Sequence, residues 1–229
     1  MHYVLYGVGA CVLVASLFLL RKLIKPNIDK EAQKTLNQYL KTLTNIGMGR
    51  FYERYIGHLY ELDGYDVEYH GAINGYSDLG RDLIVRSVDE VLIVQTKCWA
   101  KYKLIQEKHI FQLFGTMTHF KRTSARSNQK VRAVIFTTAR YSDFTRDIAR
   151  VLGVELRVQD VVKSYPMIKC HLNQSGEKNY HLPFDTNYDK IKMNDRNQDC
   201  YVHTVQEAVD KGYHRAVSKK DSRLYVPPM

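Results

Sequence analysis

Cysteine is scarce in this chain, and the spacings that would give it a structural task are missing. Four cysteines, Cys11, Cys98, Cys170 and Cys200, are spread over 229 residues. No Cys-x-x-Cys pair occurs among them, which argues against a disulfide framework and against a paired zinc knuckle. Reduced thiols suit a cytoplasmic setting. Acidic residues are also in deficit, with 24 Asp and Glu against 34 Lys and Arg, a net charge of +10 and a pI near 9.3. A balance of that sign points to a phosphate backbone or an anionic lipid surface as partner.

Charge is absent altogether from Tyr3 to Leu20, a run dominated by Val, Leu, Ala, Gly and Phe. Its length approaches the roughly 20 apolar residues that a membrane-spanning helix needs. A cleaved signal peptide carries positive charge ahead of its apolar run, whereas only Met1 and His2 stand before this one. Val8-Gly9-Ala10-Cys11 faintly resembles a lipoprotein cleavage box, but the run continues well past Cys11. Arg21, Lys22 and Lys25 follow it directly, and the positive-inside rule keeps them on the cytoplasmic side. The expectation is a single-pass membrane protein with a transmembrane helix over 3–20 and its C-terminal domains in the cytoplasm. Pro26 ends that helix, and Leu36, Leu40, Leu43 and Ile46 then recur at helical spacing, predicting a stalk helix over 27–46 that packs on the next domain.

The segments Asp82-Leu83-Ile84-Val85-Arg86 and Val91-Leu92-Ile93-Val94-Gln95-Thr96-Lys97 are dense in β-branched and aliphatic residues and read as paired strands. The short polar link Ser87-Val88-Asp89-Glu90 suits a hairpin, so Asp82 meets Gln95 and Lys97 at one end of the ribbon. A hairpin whose ends are polar by accident is the bland alternative. The functional one is a metal site, because Mg²⁺ takes oxygen ligands and keeps several waters. A carboxylate, an amide oxygen and a backbone carbonyl are a sufficient protein share. The metal would lower the pKa of a bound water and stabilise charge developing on phosphorus, with Lys97 orienting the attack.

Upstream, Phe51, Tyr55, Leu59 and Leu62 lie at helical spacing, Asp63-Gly64 supplies a stop and Tyr65 to Tyr69 reads as a strand. Glu53 falls off the centre of the apolar stripe, as a solvated charge or as a further acid reaching the metal waters. The run Gly49-x-Phe51-x-Glu53, Gly64-Tyr65-x-Val67, Asp78-x-Gly80-x-Asp82-Leu83 and Gln95-x-Lys97-x-Trp99 resembles the catalytic domain of Mrr-type restriction endonucleases. Those belong to the PD-(D/E)xK nuclease fold, and in them a Gln commonly replaces the usual acid. The resemblance spans 47–162 through Gln112-Leu113-Phe114-Gly115, Val134 to Thr138, Tyr141 to Phe144 and Gly153 to Leu156. It implies that Asp82 and Gln95 ligate Mg²⁺ or Mn²⁺, that Glu53 supports the metal shell, and that Lys97 positions the nucleophilic water. Asp78 matches an additional acid of the family pattern, and Arg81 stands where a small apolar residue is more usual.

The remaining pattern of this segment predicts an α/β, restriction-endonuclease-like mixed sheet flanked by helices. A helical stripe runs from Ile105 to Phe120, Ala133 to Thr137 reads as a central strand, and Ser142 caps a helix over 143–152 that stops at Gly153. Val154 to Val158 supplies a last strand. Lys101, Lys103, Lys108, Lys121, Arg122, Arg126 and Lys130 form either a solvated face or a DNA-contacting one. With Trp99 and Tyr102 interleaved, Trp99, Lys101 and Lys103 are the candidate DNA contacts.

Beyond Asp160 the composition changes. Gly176-Glu177-Lys178-Asn179-Tyr180-His181-Leu182-Pro183, Tyr188-Asp189 and Glu207-Ala208 through Gly212-Tyr213 to Ala216 resemble the small module called the sunset domain, over 166–219. A small C-terminal α+β module is expected there. Cys200-x-x-His203 and Cys170 with His181 have spacings open to zinc, but packing is the simpler use for them. The resulting expectation is a membrane-anchored, metal-dependent DNA endonuclease of restriction type, dimeric if one site per chain must cut both strands. A catalytically silent DNA-binding or tethering protein on the same fold, and a junction-resolving nuclease, are the alternatives. No winged-helix module or methyl-base reader accompanies the enzyme, so specificity has no visible carrier in the sequence.

Overall fold

A computed structural model of the chain describes residues 27–74, 79–124, 129–193 and 198–216. The expected transmembrane helix over 3–20, Asp78 and Arg126 lie outside them. None of the described helices is long and apolar enough to cross a membrane. The described residues divide into two units, one of Leu43–Tyr165 with Asp185–Arg196, the other of 27–42, Pro166–Phe184 and 198–216.

Residues 27–41 form helix α1, and 42–44 interrupt it before α2, Asn45–Leu62. The interruption has a local cause, because the Thr44 side chain accepts from Gly47 N–H and so caps a new helix. The predicted stalk over 27–46 therefore ends early, and Ile46 belongs to α2 rather than to the stalk. In the first unit α2 is followed by β1 (Asp66–Glu68), α3 (His70–Asn74), β2 (Leu83–Arg86), β3 (Glu90–Lys97) and β4 (Leu104–Ile105). Then come α4 (Glu107–Thr123), β5 (Lys130–Thr137), β6 (Arg140–Tyr141), α5 (Asp143–Leu152) and β7 (Val154–Val158).

Five strands form one mixed sheet in the order β1-β2-β3-β5-β7. β1, β2 and β3 run as an antiparallel meander, with Leu83 opposite Val94 and Arg86 opposite Val91, whereas β3, β5 and β7 are parallel. The parallel pairs need crossovers, and α4 and α5 supply them. Alternation along the strands divides the apolar residues between two faces. Ile84, Ile93, Ala133 and Ile135 pack with Ile110, Leu113 and Phe120 of α4 and Ala149 of α5. On the other face the Phe136 ring meets Tyr60 of α2 edge-on, with centroids 5.9 Å apart. Helices thus cover both faces, as the alternating pattern predicts. Ser142 caps α5 through Thr145 N–H, and Gly153 closes it in the left-handed region. The helix expected from Ile105 starts later, because Ile105 pairs with Tyr141 in the short parallel bridge β4–β6.

The segment 185–196 completes this unit through a short 3-10 turn, Tyr188–Lys190. Asp189 accepts from Arg54 Nε and Nη2, each at 2.7 Å, and Lys192 pairs with Asp66 at 2.7 Å. Arg54 also lies over the buried Tyr188 ring, 5.1 Å from its centroid.

The second unit holds α1 and the strands β8 (Ile168–Leu172), β9 (Lys178–His181), β10 (Cys200–Val202) and β11 (His214–Arg215), with α6 (Val205–Asp210). The sheet order is β10-β8-β9-β11, antiparallel except for β9 with β11. Thr204 caps α6: its Oγ1 accepts from Glu207 N–H, and Glu207 Oε2 reaches back to accept from His203 N–H. α1 belongs to this unit, tied by Tyr180 Oη donating to Asp29 at 2.6 Å and by Val205 N–H donating to Gln33 at 2.8 Å. The unit is a small α+β arrangement that includes α1.

Candidate active site

Asp82 sits one residue before β2, where the antiparallel ribbon with β3 begins to open. Its backbone N–H donates to Val94 O at 2.8 Å. Its carboxylate oxygen Oδ2 accepts two hydrogen bonds from Thr96, the backbone N–H at 2.6 Å and the hydroxyl at 2.9 Å. The side chain thereby takes over a ladder bond that the strand would otherwise make, and its position is fixed by β3 itself. Thr96 is the middle residue of the Gln-x-Lys triplet, and the sequence reading assigned it nothing. The register extends Gln95, not Thr96, opposite Asp82, so strand pairing alone did not point to Thr96.

Glu53 enters from α2 and is buried. Burial first, then the negative charges of Asp82 and Asp189, push its carboxyl well above the ordinary carboxylate range, while Arg54 and a backbone hydrogen bond at Ala72 pull the other way. Two carboxylates sharing a poorly solvated site repel, and a proton or a cation relieves that repulsion. Glu53 Oε1 is a buried oxygen with no hydrogen-bond donor. Gln95 is buried on β3, its Nε2 donating to Gly80 O at 2.7 Å, and its Oε1 is likewise a buried acceptor without a donor.

The loop before Asp82 is held in an unusual backbone. Leu79 and Gly80 both have positive φ, 57° and 76°. Thr116 of α4 donates to Leu79 O at 2.6 Å and fixes the turn from outside. A Cβ at Gly80 would fall 2.7 Å from Gln112 and 2.9 Å from Gln95 Nε2, so both the backbone region and the space demand glycine.

Lys97 is half-buried at the end of β3. Strand alternation puts it on the same face as Gln95 and opposite Thr96. Its charge reaches His109 of α4, whose basicity is lowered by burial first and by Lys97 and Lys108 after it. His109 stands edge-on to Trp99 with ring centroids 5.4 Å apart. Lys103 Nζ lies 5.9 Å from the Trp99 ring centre, and exposed Lys101 pairs with Asp160 at 2.8 Å. The structure therefore brings Glu53 to Asp82, and joins Asp82 through Thr96 to the strand that carries Gln95 and Lys97. Lys101 and Lys103 are exposed after β3, and Trp99 is partly buried against the core.

The donor chemistry fits a hard divalent cation such as Mg²⁺ or Mn²⁺. Two of the expected ligands present buried, donor-free oxygens, and every oxygen in the set is a carboxylate or an amide. Among the described residues no cluster of three His, Cys, Asp or Glu side chains could hold a metal alone.

No protein-family model matches the sequence, and no curated protein matches it significantly. Among solved structures the chain is similar to a protein of unknown function, AF1548, at 14% identity and a TM-score of 0.38 over 48% of this chain. It is also similar to EndoMS in its apo form, at 14% identity and a TM-score of 0.28 over 35% of this chain. A third is the MspJI restriction endonuclease in complex with a 27-mer oligonucleotide, at 15% identity and a TM-score of 0.32 over 63% of this chain. The matched parts span 58%, 32% and 28% of those three chains. Overlays this loose carry neither activity nor ligand across to the chain.

Proposed function

We propose that the chain is a metal-dependent DNA endonuclease of the restriction, Mrr-like type, anchored to a membrane by residues 3–20 with its catalytic unit on the cytoplasmic side. The observation that carries this reading is the pair of buried, donor-free oxygens on Glu53 and Gln95, at the strand whose Thr96 holds the half-buried Asp82 carboxylate. Burying the Glu53 carboxyl near the charge of Asp82 is costly unless a cation is bound in the working state.

Asp82, Gln95 and Glu53 would hold Mg²⁺ or Mn²⁺, and Asp78 is a further candidate acid. A bound divalent ion supplies a lowered pKa for coordinated water and charge stabilisation at phosphorus. Thr96 keeps Asp82 oriented through two hydrogen bonds, so the carboxylate needs no rearrangement on loading. Lys97 would orient the attacking water and counter charge on the phosphate. Trp99 offers a ring face to a base or sugar, and Lys101 and Lys103 offer ammonium groups to backbone phosphates. A homodimer would pair two such sites for double-strand cutting, and 166–219 would act as a sunset-like accessory domain.

The test is cleavage of plain, methylated and four-way-junction DNA by the purified full chain with and without Mg²⁺. Metal-dependent products that disappear in Asp82→Ala and in Lys97→Ala support the reading. Products retained in both variants, or DNA retention without any product, overturn it, the second result favouring a tether. Preference for the junction would reassign the substrate class.

A further inference from the structure

Cys170 and Cys200 are not incidental to the second unit. They stand directly opposite one another on the antiparallel strands β8 and β10. Residues facing each other in this way keep their Cα atoms about 4.5–5.5 Å apart with side chains on one face of the sheet. A disulfide asks for a Cα separation of about 4.4–6.8 Å. The backbone is therefore already inside the range of the bond, and only a small approach of the two Cβ atoms is required.

Access to the two sulfurs is unequal. Cys170 is fully buried, whereas Cys200 is half-exposed on β10, the edge strand of its sheet. Tyr213 is buried in the same unit, its hydroxyl donating to Gln198 O at 2.7 Å. An oxidant reaches Cys200 first, and Cys170, opposite it on β8, is placed to finish the reaction on the protein. Cys98 lies in the other unit.

We propose that Cys170 and Cys200 form a reversible dithiol–disulfide site whose co-reactant is a low-molecular-weight disulfide. In the first step the Cys200 thiolate attacks one sulfur of that disulfide, an S–S bond breaks, and one small thiolate leaves to take up the proton given up by Cys200. In the second, Cys170 loses its proton and attacks the Cys200 sulfur, releasing the second small thiol. The protein gives up two protons and two electrons, and the small disulfide is reduced to two thiols. The product ties the edge strand β10 to the interior strand β8. In a reducing compartment the pair rests as thiols, since disulfides in such settings are mainly transient or redox-sensing. The site is independent of the nuclease reading and stands if that reading fails.

The experiment exposes the purified full chain to oxidised glutathione, blocks remaining thiols with iodoacetamide, and maps peptides by mass spectrometry. The expected result is one internal cross-link joining Cys170 to Cys200, with the mass of two hydrogens lost and restored by dithiothreitol, and a higher Tm for the oxidised form. Cys170→Ser should arrest the reaction as a glutathione adduct on Cys200, and Cys200→Ser should leave Cys170 without an adduct. Both variants report on the order of attack, and the wild-type map tests the site even if one of them folds poorly. A stable adduct on wild-type Cys200 without the cross-link, both thiols fully alkylated after oxidation, or a cross-link to Cys98 or to a second chain would overturn the proposal.

Discussion

Replacing Asp189 with alanine removes a two-point carboxylate partner from the Arg54 guanidinium inside the larger unit. Arg54 and Asp189 side chains are only 11% and 16% exposed, and they share two hydrogen bonds of 2.7 Å. Removing one partner of a buried, well-aligned ion pair costs about 3–5 kcal/mol, chiefly from the charge left behind. Two features soften that figure here. The remaining exposure lets some water reach the guanidinium, and the Tyr188 face, 5.1 Å from Arg54, retains a cation–π contact of about 0.5–1 kcal/mol. The expected loss is therefore about 2–4 kcal/mol, or a fall in Tm of roughly 6–15 °C for a unit of this size. The Lys192–Asp66 pair is the internal control. Its side chains are 62% and 47% exposed, so Lys192→Ala should cost less than about 1 kcal/mol. Urea and thermal unfolding of the full chain, read for both single variants and for Arg54→Met with Asp189→Leu, provide the measurement. The double apolar variant should recover most of the loss. A cost for Asp189→Ala below about 0.5 kcal/mol, or no recovery in the double variant, would refute the assignment of 185–196 to this unit's stability.

Two further changes probe the site. Gly80→Ala forces a left-handed residue to carry a Cβ against Gln112 and Gln95; it should cost about 1–3 kcal/mol and displace the Gln95 amide, lowering metal-dependent turnover together with stability. Glu53→Gln keeps the shape and removes the charge. Because the folded-state pKa of Glu53 is raised, the folded chain holds a proton that the unfolded chain releases as pH climbs past about 4.5. Stability therefore falls with rising pH through that window, up to the folded value. In metal-free buffer Glu53→Gln should be the more stable form above neutrality and show no advantage at acid pH, as read from Tm against pH. An advantage at all pH values would show that charge is not its cause.

The ribbon that holds Asp82 and Gln95 was legible because both strands are continuous apolar runs and the link between them is short, which leaves few registers. The α5 boundaries were legible for a related reason: Ser142 and Gly153 are local capping signals that need no partner elsewhere. Reading failed where two signals competed. The Leu36, Leu40, Leu43, Ile46 stripe runs across the break at 42–44, and the weaker cue of Thr44 as a cap was outweighed. Ile105 fits a helical period but is claimed by a two-residue bridge to Tyr141, a pairing that no local pattern announces. Arg54 and Asp189 lie far apart in the chain, and nothing in the neighbourhood of either marks the other. Within the site, carboxylate, amide and lysine were readable as residue types. The restraint of Asp82 by Thr96 and the donor-free oxygens of Glu53 and Gln95 depend on register and burial, which only folding supplies.

The central claim is that the Glu53, Asp82 and Gln95 oxygens form a divalent-cation site. Its most direct measurement is Mn²⁺ binding to the metal-free full chain, followed by electron paramagnetic resonance of the free ion. The account predicts saturable binding that weakens roughly tenfold or more in Asp82→Asn and in Gln95→Leu, with Lys101→Ala unchanged. Equal affinity for Mn²⁺ in the wild type and both ligand variants would contradict it.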